Sequence, residues 1–196
     1  VQSLVSNNTR EYLLANLYHN IPRICSSYLP LAWFALNNKC FKYLNFGADA
    51  WAPLIISTVN PCAEIFIIPP DSAATKDAHD VPFILKQASQ LKPHKGQVRF
   101  IPGDVNTTID RLKKSFIGKM YFDLVFIQTD NLTENAMNQI KGVLQYIPEG
   151  GGLVITGSNI EFCRNIVEKN VNFCCITSTP YKVCLFLNIE LLFETI

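Results

Sequence analysis

Excess charge of one sign, long apolar runs and clustered histidines are all missing from this sequence. Lysine and arginine together number 17 against 16 acidic residues, a net charge of +1. That balance excludes a global attraction to nucleic acid or to an anionic membrane, so neither is expected as a partner. No apolar run approaches the roughly 18 residues of a membrane span. The three histidines, His19, His79 and His94, fall outside every predicted strand end. No Ser-His-Asp or Cys-His order stands out either, which leaves hydrolytic triads without support. Seven cysteines are present, an odd number with no C-x-x-C pair and no histidine close to the last four. Such spacing argues against zinc, and cysteines set in apolar runs read as buried, reduced small hydrophobes. A reducing, cytoplasmic compartment is the matching expectation. Lys113-Lys114 and the 92–95 segment lack the interleaved aromatics of a nucleic-acid groove. Repeats, low-complexity tracts and linkers are also missing. The chain begins at Val1 rather than Met, as expected of a trimmed or processed chain or a piece of something longer.

What is present is an apolar share of 48%, ample for a full core in one domain of 196 residues. Thr9 to His19 has helical spacing and stops at Pro22. Pro30 opens a second helix, LPLAWFALNN, in which Trp33 and Phe34 are core or lid residues, core being the better expectation. These helices form an N-terminal cap over residues 1–40, ahead of a main unit over 41–196. Five strand-like runs follow: Phe41–Phe46, Glu64–Ile68, Val98–Ile101, Phe122–Gln128 and Leu153–Thr156. Helical stretches are predicted at Trp51–Val59, Ala73–Leu91, Asn106–Phe116, Thr133–Tyr146 and Asn159–Lys169. Strands this apolar, alternating with helices, predict a parallel sheet covered on both faces. Right-handed crossovers make that α/β sheet doubly wound and Rossmann-like. The last two runs, Asn172–Ser178 and Lys182–Ile189, are joined only by Thr179-Pro180-Tyr181, which permits only an antiparallel pair.

The order of motifs resembles that of the class I S-adenosylmethionine (SAM) methyltransferases, over about Phe41 to Ile189. KYLNFGADAW stands where that family has its glycine-rich first motif, and NPCAEIFIIPPD where its second strand carries an acidic ribose ligand. VRFIPGDV, YFDLVFIQTD and PEGGGLVITGSN resemble the later motifs in order. The phrases RFIPGD, FDLVFIQTD and GGLVITGSN are most similar to the catechol-type O-methyltransferases, while NPCAEIF equally suits protein-lysine methyltransferases. The resemblance implies a seven-stranded sheet in the order 3-2-1-4-5-7-6 with the last strand antiparallel. It also implies SAM as cofactor, a methyl acceptor that is a small molecule or a protein, and transfer to oxygen or nitrogen.

The site residues that the resemblance implies are Asn45, Gly47, Asp49, Asp71, Asp104 and Gln128. Gly47 is the one glycine of the first motif. Asn45 stands in place of the family's acid, and Asp49 and Trp51 in place of its later glycines. This describes either a reshaped cofactor loop or one that no longer binds SAM. Pro69 aligns with the ribose acid. Asp71, two residues on, either reaches back to the ribose or caps the next helix. Asp104 faces the adenine or caps the helix after it. The catechol-type enzymes hold Mg²⁺ where this chain has Gln128, Ser158 and Asn159. Asp130 offers a substitute carboxylate, but with two carboxylates replaced no metal is expected, since Mg²⁺ favours carboxylate oxygen. No catalytic residue is assigned. The alternative to an enzyme is an inactive methyltransferase-like module for binding a protein partner or for assembly.

Overall fold

The computed structural model describes residues 28–38, 42–47, 51–68, 96–101, 105–115, 119–128, 140–157, 160–169, 173–179 and 183–188. The expected helices at Thr9–His19 and Ala73–Leu91 lie outside these, as does most of the one expected at Thr133–Tyr146.

Among the described residues, seven strands form one sheet. They are β1 (Lys42–Phe46), β2 (Glu64–Ile68), β3 (Val98–Phe100), β4 (Leu124–Gln128), β5 (Gly152–Thr156), β6 (Phe173–Thr179) and β7 (Val183–Asn188). Their order across the sheet is β3-β2-β1-β4-β5-β7-β6. The β1–β2, β1–β4, β2–β3 and β4–β5 pairs are parallel. β7 runs antiparallel to both of its neighbours, β5 and β6, so it alone opposes the other strands. β1 therefore sits mid-sheet between β2 and β4, and successive crossovers leave it in opposite directions.

Alternation along these strands sends side chains to two cores. One holds Tyr43, Ile65, Ile67, Leu124, Phe126, Val154 and Leu185 under two helices, α1 (Leu29–Asn37) and α2 (Trp51–Val59). The other holds Leu44, Phe46, Phe66, Ile68, Val125, Ile127, Leu153 and Ile155. It packs beneath α3 (Val105–Ser115), α4 (Ile160–Glu168) and the helical residues 140–144. Strands buried on both faces are what a parallel sheet requires.

Each helix has a local cause. Pro30 lies in the first turn of α1, where a missing N–H costs nothing. Asn37 Nδ2 and Asn38 Nδ2 then donate to the carbonyls of Trp33 and Phe34, at 2.8 and 3.1 Å, and close the last turn. Phe34 is buried and Trp33 half-buried against the same core. α3 buries Thr108, Ile109 and Leu112 and exposes Asp110, Arg111, Lys113 and Lys114, an amphipathic pattern.

Several strand ends differ from the sequence expectation by a residue or two, β3 ending at Phe100 and β6 at Thr179 among them, and the starts of β4 and β5 have a visible cause. β4 begins at Leu124, not Phe122, because the Phe122 N–H turns away to the Tyr146 carbonyl at 2.8 Å. Asp123 then clamps the base of β1. Its N–H donates to the Lys42 carbonyl, and its carboxylate accepts from the Lys42 N–H, both at 2.9 Å. β5 begins one residue early, at Gly152, whose N–H donates to the Asp123 carbonyl at 2.9 Å. Among the cysteines, Cys184 is buried as expected but Cys62 is exposed. Cys62 lies in the turn after α2, where its N–H is taken up by Asn60 Oδ1 and no apolar run surrounds it.

No helix among the described residues is long and apolar enough to cross a membrane.

Candidate functional site

The crevice forms where the crossovers diverge, between the carboxyl ends of β1 and β4. Open α/β sheets bind their ligands at such a switch point. β1 ends on Phe46, and the chain turns at Gly47 with φ +129°, a conformation open to glycine and strained for other residues. The Gly47 N–H remains tied to the sheet through the Ile68 carbonyl at 3.1 Å.

Gln128, the last residue of β4, reaches over this turn. A methyl group placed on the Gly47 Cα would lie 3.1 Å from Gln128 Cβ and 3.3 Å from its Oε1. The bare backbone of Gly47 and the carboxamide of Gln128 therefore share one small space. Gln128 is paired in register with Thr156 on β5, and both are half-buried. Thr156 ends β5, and the chain turns next at Gly157 with φ +133°.

Asn45 lies beneath the turn and is completely buried. Its Oδ1 accepts the Tyr43 hydroxyl at 2.9 Å, and its Nδ2 donates to the Gly47 carbonyl at 3.3 Å. On the same face, Tyr28 at the start of α1 stacks on Phe126, with ring centroids 6.3 Å apart. Phe126 is the register partner of Asn45.

The structure thus brings Asn45, Gly47 and Gln128 together. Asp49, Asp71 and Asp104 lie outside the described residues, and so do Pro69, Asp130, Ser158 and Asn159. Trp51 opens α2, with its side chain undescribed. Among the described residues, no three His, Cys, Asp or Glu side chains gather in one place. Sequence reasoning missed Tyr43 and Thr156. The i, i+2 spacing of Tyr43 and Asn45 on a strand puts both on one face and was the available signal.

Solved structures share this architecture. The O-methyltransferase from Bacillus cereus, in complex with SAH, matches with a TM-score of 0.61 at 13% identity, covering 95% of this chain and 93% of that one. The fold is that of the class I SAM-dependent methyltransferases. A methyltransferase from Geobacter sulfurreducens matches at 0.59 and 12% identity, covering 96% of this chain and 94% of that one. CalS11, the TDP-rhamnose 3'-O-methyltransferase of calicheamicin biosynthesis, matches at 0.60 and 13% identity, covering 93% and 95%. No protein-family model matches the chain, and no curated protein matches its sequence.

The methyltransferase fold places a cofactor test on Gly47. Its turn puts a glycine backbone at the switch point, with Gln128 standing over one side of it. The Gln128 carboxamide oxygen beside it is an acceptor suited to an ammonium or hydroxyl group. The residues present fit SAM at these two points.

Proposed function

We propose that this protein is a SAM-dependent methyltransferase that acts on an oxygen or nitrogen acceptor with a reduced hold on its cofactor. The observation that carries this reading is the bare, left-handed turn at Gly47 in the switch-point crevice of a methyltransferase fold. The relatives of known structure include an O-methyltransferase in complex with SAH, which supports the same ligand class here.

When bound, SAM supplies an electrophilic methyl group on a sulfonium sulfur. Gly47 and Gln128 hold the cofactor in the crevice, and Asn45 supports the turn from below. Asp49, Asp71 and Asp104 complete the proposed binding set. Bound there, SAM would supply its methyl to an oxygen or nitrogen acceptor beside Gln128 and Thr156, the carbon–sulfur bond breaking as the new bond forms, with SAH leaving and the acceptor's proton passing to water. Holding the two reactants in line supplies most of the effect, so a dedicated base is not required.

Position 69 weakens this site, because proline offers no acceptor to the ribose hydroxyls. A hydrogen bond to a charged group contributes about 1.5–3 kcal/mol, so its loss lowers affinity by about 10- to 150-fold. Calorimetry with SAM is expected to show weak binding by the wild type and stronger binding by the Pro69→Asp, Trp51→Gly double variant. Tight wild-type binding would remove the reduced-site reading and leave an ordinary enzyme.

A second reading rests on Asn45 and Gln128. Neutral amides stand at both positions where the resemblance leads one to expect carboxylates, which suits an inactive module that binds a protein partner. Absence of SAM binding by both the wild type and the double variant would favour it.

We also propose that no metal takes part, since Gln128 and Ser158 stand in place of carboxylates. Methyl transfer is expected to continue undiminished in excess chelator. Strict dependence on added Mg²⁺ would overturn this and bring Asp130 forward as a ligand.

A further inference from the structure

We infer that Asn45 is a positioning residue that latches the Gly47 turn from beneath, setting the cofactor crevice before any ligand arrives. The inference rests on the reading that the cofactor lies across Gly47. The Asn45 side chain has no exposed surface, so it acts through the backbone and not by touching the ligand.

The latch is a chain of two hydrogen bonds. The Tyr43 hydroxyl donates to Asn45 Oδ1, and Asn45 Nδ2 donates to the Gly47 carbonyl. The Gly47 N–H is held separately by the Ile68 carbonyl. Both polar groups of the bent residue are therefore fixed, one by the sheet and one by Asn45. An unsupported glycine gains the most backbone freedom of any residue, so fixing its carbonyl removes a real entropic cost from ligand binding.

Only an amide fills this role at neutral pH. It carries an acceptor for Tyr43 and a donor for Gly47, whereas a carboxylate has no donor and would face the Gly47 carbonyl with like polarity. The surroundings offer no relief. β2 presents Ile65 and Ile67, β4 presents Leu124 and Phe126, and α2 presents Ala52, Ile55 and Ile56 to the same core. Tyr43 and Tyr28 are the titratable groups among the described residues on this face.

Asn45→Asp turns the latch into a pH-dependent one. A protonated carboxyl can accept from Tyr43 and donate to Gly47, as the amide does. Burial raises the pKa of this carboxyl above its ordinary range. The folded state then holds the proton longer than the unfolded state, so the support is present at low pH and lost as pH rises through the raised pKa.

Two readouts test the latch: hydrogen exchange at the Gly47 amide, and SAH affinity by calorimetry at pH 5 and pH 8, each relative to wild type. Asn45→Leu is expected to speed Gly47 exchange and weaken SAH binding, each about tenfold, at both pH values. Asn45→Asp is expected to match wild type at pH 5 and Asn45→Leu at pH 8. A buried asparagine with a purely structural role would shift the melting temperature alone. Wild-type exchange at Gly47 and wild-type affinity in both variants would therefore overturn the inference. If Asn45→Leu does not fold, Tyr43→Phe decides, because it removes only the hydroxyl: faster Gly47 exchange supports the latch, and unchanged exchange refutes it. If the wild type itself binds no SAH, the proposed function fails, while Gly47 exchange still settles the latch.

Discussion

Phe34→Ala is expected to lower the unfolding free energy by about 3–5 kcal/mol, in the range of large-to-small changes at fully buried aromatics. Phe34 is 1% exposed and lies in the face of α1 that meets the sheet. Its ring rests on Gly152, the first residue of β5. A methyl group on Gly152 would lie 2.7 Å from Phe34 Cε2 and 3.1 Å from Leu124 Cδ1. Glycine at 152 is therefore a packing requirement, set by the close approach of the ring. Gly152→Ala is expected to cost about 1–3 kcal/mol by overpacking. The two sites touch, so their effects should not add. Combining Gly152→Ala with Phe34→Leu, which shortens the ring side chain, should cost less than the sum of the single changes. Urea unfolding of all three variants under one set of conditions measures this. Strict additivity would show that the ring does not seat on Gly152.

The second large effect belongs to Gly47→Ala. At φ +129° an alanine is strained whatever space surrounds it, by about 1–3 kcal/mol. Its methyl would also meet Gln128 Cβ at 3.1 Å. The variant has two responses. If the turn keeps its shape, the strain is expressed as lost stability. If the backbone relaxes, the crevice changes shape and the loss moves to cofactor affinity, as about a 5- to 150-fold weaker interaction. Measuring unfolding and SAH binding on the same preparation captures both. Adding Gln128→Ala should relieve the contact but leave the strain, so it should recover only part of the loss. A Gly47→Ala protein with unchanged stability and unchanged affinity would refute the strained-turn account.

Among the elements, those with a strong local pattern were legible. EIFII is an apolar run with clear limits, and it forms β2 in the interior of the sheet. α2 spans Trp51–Val59 as the sequence predicts. Strand starts were less legible, because they depend on partners far along the chain. The start of β4 is decided by Asp123 and Phe122, whose hydrogen bonds go to Lys42 and Tyr146. Nothing near position 122 announces those partners. Cys62 is exposed because it lies in a turn outside the apolar runs, so burial there follows packing and not residue type alone.

The candidate site divides in the same way. The sequence by itself singled out Gly47, because a lone glycine between an apolar strand and a helix marks a backbone turn, and it drew attention to Asn45 and Gln128 through the family resemblance. Composition and alternation likewise determined an α/β sheet buried on both faces. Tertiary structure alone decided what these residues do to one another. Gln128 stands over Gly47 because β4, some eighty residues later, pairs beside β1. Asn45 turns both its polar groups inward because strand alternation puts Tyr43 on its face and burial demands that each polar group find a partner. Phe34 reaches Gly152 because α1 folds back across β4 and β5. Local sequence governs which backbone conformations are cheap, whereas long-range strand pairing and packing govern which side chains meet, and the chemistry of this crevice depends on the second.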